Sequence, residues 1–122
     1  MAGIKSFEDI ESWKQARLFN FLIYKTTNSP KFNGDLDLKR QIRRASVSIS
    51  SNIAEGFKRN TDKEFIHFLY IAKASAGEVR SQLYLSYDLN YINEMDFNEL
   101  KVMIIEISKT ISGLIKYLKN QI

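Results

Sequence analysis

A chain of 122 residues with 44% apolar content is long enough for one domain, residues 1–122, with a real core. Having no cysteine excludes disulfides, thiolate metal sites and cysteine nucleophiles, and the single histidine, His67, argues against a histidine-based metal site or triad, so neither a metal nor a cofactor is expected. The net charge of +4 is a mild basic lean confined to the first half: +2 over residues 1–34, +3 over 35–60, −1 over 61–91 and 0 over 92–122, which permits an anionic partner there.

No run approaches the ~20 apolar residues of a membrane span. The opening Met1-Ala2-Gly3-Ile4-Lys5-Ser6 turns acidic rather than reading as a signal peptide. The expectation is a cytoplasmic protein with no membrane partner.

Four long helices are predicted in chain order. The first runs from Phe7 to Thr27, with Ser6 as cap and Asp9 three residues on as its box partner. Asn28-Ser29-Pro30-Lys31-Phe32-Asn33-Gly34-Asp35 is the clearest loop, holding the chain's one proline. The second helix runs from about Leu36 to Phe57 and closes at Gly56 or shortly after. Thr61-Asp62-Lys63-Glu64 is a full capping box that starts a third helix reaching about Leu89. Asn90 and Asn93 mark a turn, and Asp96-Phe97-Asn98-Glu99 is a box-like start for a fourth helix ending near Asn120. Similar lengths and short links predict antiparallel neighbours: an all-α, up-down-up-down four-helix bundle.

The core stripes follow the helical period. They comprise Leu38, Ile42, Ala45, Ile49, Asn52, Ile53 and Gly56 on helix 2; Phe65, Phe68, Leu69, Ala72, Ser75, Ala76, Val79 and Leu83 on helix 3; and Phe97, Leu100, Ile104, Ile107, Ile111, Leu114, Ile115 and Leu118 on helix 4. Small residues meet at the middle of helices 2 and 3: Ala45, Ser46 and Ser48 against Ala72, Ala74, Ser75, Ala76 and Gly77. Interaxial distance falls with side-chain size, so these two helices are expected to be the closest pair.

A bundle helix needs one apolar stripe, and several helices carry more. Leu18, Phe21 and Tyr24 on helix 1, and Ile66, Tyr70 and Tyr84 on helix 3, lie off the core face; Val102, Ile105 and Tyr117 do so on helix 4. Contiguous second faces mark an interface, and most soluble oligomers are homo-oligomers, so self-association through these residues is expected.

Arg40, Arg43 and Arg44, with Lys39, form a basic cluster early in helix 2, suited to contacting the phosphates of RNA. The competing reading pairs Arg43 or Arg44 with Glu78 across the bundle. Lys58 and Arg59, beside Lys63, form a second basic patch, or simply favourable charges at the C-terminal end of the helix 2 dipole. Ser48, Ser51, Asn52 and Glu55 share one side of helix 2. With no histidine or lysine at helical spacing to activate a serine, the row reads as a packing device and no catalytic residue is assigned. Trp13 reads as an anchor for helix 1.

The segment Gln41-Ile42-Arg43-Arg44-Ala45-Ser46-Val47-Ser48-Ile49-Ser50-Ser51-Asn52-Ile53-Ala54-Glu55-Gly56 resembles the central motif of the small four-helix-bundle proteins encoded in bacterial 23S rRNA intervening sequences. The accessory variability determinant of diversity-generating retroelements is similar to that group. The likeness extends through Phe7, Trp13, Ala16 and Tyr24-Lys25-Thr26-Thr27, and beyond the motif through Lys63-Glu64-Phe65, Phe68-Leu69, Ile71-Ala72, Ser75, Glu78 and Leu89-Asn90-Tyr91-Ile92. It implies an up-down bundle assembled as a ring, a homopentamer. In the retroelement branch it also implies binding of a reverse transcriptase and nucleic acid. This chain has Ala74-Ser75 where the family often has Gly-Ser, with Gly77 one turn on.

The leading expectation is therefore a non-enzymatic, oligomeric bundle protein that contacts RNA or a nucleoprotein through its arginines and lysines. The alternative is a protein-interaction scaffold without nucleic acid.

Overall fold

The computed structural model describes residues 3–122, which form four α-helices and no strand: α1 Glu11–Thr27, α2 Leu36–Phe57, α3 Asp62–Asp88 and α4 Glu94–Lys119. Each helix packs on two neighbours, α1 and α3 lying on opposite corners, and the α2–α3 packing is the most extensive. The architecture is the all-α antiparallel four-helix bundle that the helix lengths and short links predict. Among the described residues no helix is long and apolar enough to cross a membrane.

The first predicted helix is broken. Phe7–Asp9 is a separate 3-10 turn, and Ile10 is extended at φ −78°, ψ 124°. The Asp9 carboxylate closes that turn by accepting from the backbone N–H groups of Lys5 (3.0 Å) and Ser6 (3.3 Å), and these bonds hold its carboxyl below the usual range. The extended residue turns Ile10 into the core while Phe7 packs edge-on against Trp13, ring centroids 5.1 Å apart.

The loop before α2 is also more ordered than its composition suggests. Pro30–Phe32 forms a 3-10 turn that buries Phe32 completely, its ring 5.2 Å from that of Tyr91. Asp35 then does two jobs. One carboxylate oxygen caps α2 by accepting from Leu38 N–H at 3.1 Å, and the other accepts from the Tyr91 hydroxyl at 3.1 Å. Desolvation, and after it this bond to a carboxylate, push the Tyr91 phenol above its ordinary range.

Thr61 caps α3 by accepting from Glu64 N–H at 3.2 Å, while the Glu64 carboxylate accepts from the Thr61 hydroxyl at 3.4 Å and not from its backbone N–H, so half of the predicted box forms. At the far end Asn90 adopts φ +63°, the left-handed closure common at helix C-termini, and Tyr91 N–H reaches back to Ser86 C=O at 2.8 Å. This tight closure lets α4 start earlier than expected: Asn93, not Asp96, is the cap, accepting from Asp96 N–H at 2.8 Å.

The apolar stripes of α2, α3 and α4 meet as predicted, joined by Ile10, Ala16, Phe19, Ile23 and Phe32. The small-residue contact between α2 and α3 is narrower than expected. Ala45, Ser46, Ala72 and Ala76 are buried, whereas Ala74 and Gly77 are exposed, and a Cβ on Gly77 would meet nothing within 4 Å. The tight approach is at Gly56, where a Cβ would stand 2.7 Å from Phe68 Cβ.

Candidate nucleic-acid interface

α2 carries the basic cluster, and its helical turn separates the three arginines. Arg40 and Arg44, one turn apart, are exposed on the outer face. Arg43, on the flank of that face, is half-buried and turned toward the end of α1, where its own chain engages it. Its Nε donates to Thr27 Oγ1 at 2.8 Å, its Nη2 donates to the Tyr24 carbonyl at 3.2 Å, and its guanidinium lies 4.3 Å from the Tyr24 ring centroid. Thr27 itself donates to Ile23 C=O at 2.7 Å. Arg43 therefore closes the C-terminal end of α1 from the neighbouring helix, placing a cation where that helix dipole is negative.

No pairing of Arg43 or Arg44 with Glu78 forms; among the described residues the one ion pair joins Arg59 to Glu55 at 3.1 Å. Arg43→Ala should cost about 1–2 kcal/mol, the worth of charge-assisted bonds plus a cation–π contact. Arg43→Lys should recover little of it, because a point charge cannot hold both acceptors and the ring. Urea denaturation of the two variants checks this; full recovery by lysine contradicts it.

The second patch is held by aromatic rings. Lys58 Nζ sits 5.6 Å from the centroid of Phe7, and the Arg59 guanidinium lies 4.7 Å over Phe68, whose ring also meets His67 edge-on at 5.7 Å. Both cations stay exposed. Arg59 is fixed from two sides, by Glu55 and by Phe68, so it presents a positioned guanidinium plane rather than a free charge.

The hydroxyl row on α2 is a packing device. Ser48 and Ser75 share a hydrogen bond across α2 and α3 at 3.0 Å, and Asn52 Nδ2 donates to Ser48 C=O (2.8 Å) and Ser48 Oγ (2.9 Å). Glu55 is taken by Arg59, and Ser51 is exposed. One polar link escaped the sequence reading: Asn20 of α1 bridges Ser46 and Ser50, accepting from Ser46 Oγ at 2.7 Å and donating to Ser50 Oγ at 2.9 Å. The i, i+4 spacing of Ser46 and Ser50, opposite the asparagine in helix 1, was its only signal.

Of the residues expected to form an interface between copies, Leu18 (54% exposed) and Phe21 (64%) lie on one open side of α1, with Tyr24 beside them exposed but stacked against Arg43. Tyr70 and Tyr84 are exposed but engaged: Lys119 Nζ donates to the Tyr70 hydroxyl at 2.7 Å, and the Tyr84 ring stands edge-on to Phe97 at 5.0 Å. Ile66 is not available. At 8% exposure it belongs to the chain's own core, because α3 is flanked by both α2 and α4 and its buried arc is wider than one stripe.

These features define a small antiparallel four-helix-bundle protein with exposed cations on the outer face of its second helix. The family profile described as 23S rRNA-intervening sequence protein matches residues 8–113, and the chain belongs to that family. It is similar in structure to a protein of unknown function from the S23 ribosomal protein family of Bacteroides thetaiotaomicron. The TM-score is 0.79 at 26% identity, covering 86% of this chain and 98% of that one. No curated protein matches the chain.

Proposed function

We propose that this protein is a non-enzymatic, homo-oligomeric bundle protein of the cytoplasm that binds RNA by electrostatic contact with phosphate, through Arg40 and Arg44 with Lys58 and Arg59 as a second patch. The observation that carries this reading is the exposure of Arg40 and Arg44 on one face of α2, neither in an ion pair among the described residues. Membership of a family tied by its description to 23S rRNA supports it. Contacts of this kind position a protein on a backbone without reading bases. A pentamer, the assembly favoured by the family resemblance, multiplies a +4 protomer to about +20. The engagement of Ser48 and Asn52 in packing, and of Glu55 in an ion pair with Arg59, supports the non-enzymatic part of the reading.

Filter binding of single-stranded RNA at a series of salt concentrations tests it. Affinity should fall with salt, and the Arg40→Ala/Arg44→Ala double variant should lower the log–log slope by about 1.4 for each protomer that contacts the strand, two phosphate contacts at ~0.7 each. Absence of binding at low salt, or binding indifferent to salt, sinks the proposal.

The open stripe of Leu18, Phe21 and Tyr24 favours a second reading: a protein-interaction scaffold, either a homo-oligomer or an accessory protein of the reverse-transcriptase type, with no direct nucleic-acid contact. Light scattering combined with the RNA titration separates the two, since an oligomer that ignores RNA at low salt fits only the scaffold.

A further inference from the structure

The fourth helix is electrically polarised in a way its net charge conceals. Glu94, Asp96, Glu99 and Glu106 occupy its first half beside a single cation, Lys101, and Lys109, Lys116 and Lys119 its second, with no acid after Glu106. Lysines near a helix C-terminus complement the dipole, which accounts for Lys116 and Lys119 in the last turns. It does not account for Lys73, which sits mid-way along α3 and faces the same groove.

That groove, of about 290 Å³, is lined by Tyr70, Lys73, Ser112, Ile115, Lys116, Lys119 and Asn120, with no carboxylate. Ile115 is buried between the lysines, which are themselves exposed, so the groove is open to a ligand from solvent. Tyr70 and Lys73, like Lys116 and Lys119, are three residues apart, the spacing that puts side chains on one helix face. Lys119 is already oriented: its ammonium lies 5.2 Å from the Tyr70 ring centroid and donates to the phenol oxygen at 2.7 Å. With that oxygen accepting, the tyrosine's own proton is left to donate outward, as is that of Ser112.

We propose that this groove binds a terminal phosphate, a phosphomonoester, with Lys73, Lys116 and Lys119 neutralising it and the Tyr70 and Ser112 hydroxyls donating to its oxygens. The charge count selects the monoester over the diester of a continuous backbone. A monoester carries close to two negative charges and three strong acceptor oxygens at neutral pH. Three ammonium groups without a carboxylate match that better than a single charge. That the phosphate belongs to an RNA end rests on the function proposed above; the phosphate chemistry does not.

The test uses the full chain and two single-stranded oligoribonucleotides identical except for a 5′-phosphate or a 5′-hydroxyl, each labelled at the 3′ end. The phosphorylated strand should bind about tenfold tighter by fluorescence anisotropy, the scale of one or two charge-assisted bonds. The Lys73→Gln/Lys119→Gln variant should erase that difference while still binding the hydroxyl strand, and Arg40→Ala/Arg44→Ala should weaken both strands alike. Equal affinity for the two strands, or a preference that survives Lys73→Gln/Lys119→Gln, overturns the site. If neither strand binds, titration with inorganic phosphate decides. A shift of the Ser112 amide resonance that is lost in the double variant supports the groove with a free phosphate as its source, and no shift overturns it.

Discussion

Phe32→Ala should be among the most damaging single changes in this protein, costing about 3–5 kcal/mol, the usual range for emptying a buried phenylalanine site. The residue sits in a connection that composition marks as loop, yet its side chain is fully buried and packs on Tyr91. The loss should fall in the upper part of that range, because more than a cavity is left behind. Phe32 holds the 3-10 turn against the bundle, and the Tyr91 hydroxyl holds Asp35, which caps α2. Removing the ring therefore loosens the α1–α2 link, the α2 cap and the α3–α4 link together. At roughly 4 °C per kcal/mol for a chain of this size, the melting temperature should drop by roughly 12–20 °C. Phe32→Leu, which keeps most of the apolar volume, should lose much less. Thermal and urea unfolding at one fixed protein concentration are the measurements, since oligomerisation makes stability concentration-dependent. A loss below about 1 kcal/mol for Phe32→Ala would mean that the turn is an independent loop.

What the sequence reveals here is what is encoded within one turn of chain. Thr61 sets the start of α3 because the N–H it accepts from, that of Glu64, is only three residues on, and the apolar period identifies the core because it repeats along each helix. The start of α4 is ambiguous in the sequence because Asn93 and Asp96 both precede an acid at capping distance. The choice between them is made upstream, by Asn90 closing α3 so tightly that only Tyr91 and Ile92 lie between that turn and the cap. Ile10 breaks the first helix because the core needs its side chain, a demand invisible in a local helical pattern.

The candidate site divides in the same way. That Arg40, Arg43 and Arg44 form a cluster is legible; that Arg43 is spent on the end of α1 depends on which helix end lies beside it, a tertiary fact. Charge summed per segment does not reveal the lysine groove, since four acids and four bases cancel over residues 92–122 although Lys116 and Lys119 line a groove without an acid. Segment charge says how much potential a stretch contributes at a distance. It says nothing about a groove a few ångströms wide whose lysines come from two helices.

Gly56→Ala and Gly77→Ala should move stability in opposite directions, although both place a methyl group on a helical glycine. Alanine is favoured over glycine in a helix interior by about 1 kcal/mol, and it restricts the unfolded chain. At Gly77 nothing stands within 4 Å of the new atom, so that gain should appear nearly whole. At Gly56 the methyl would lie 2.7 Å from Phe68 Cβ, 2.9 Å from Phe65 Cδ1 and 3.3 Å from the Phe65 carbonyl oxygen. The ring atom can swing aside. Phe68 Cβ cannot, because it is bonded to the backbone of α3, so relief requires the two helices to part where they are closest. Overpacking of this kind costs about 1–3 kcal/mol, enough to outweigh the propensity gain. It should also be felt at the surface, because displacing Phe68 moves the ring that supports the Arg59 guanidinium at 4.7 Å. Paired urea titrations give the two signs. If both substitutions stabilise, the glycine that ends the Gln41–Gly56 motif is there to close a helix and not to let α3 approach, and the packing reading of that segment falls with it.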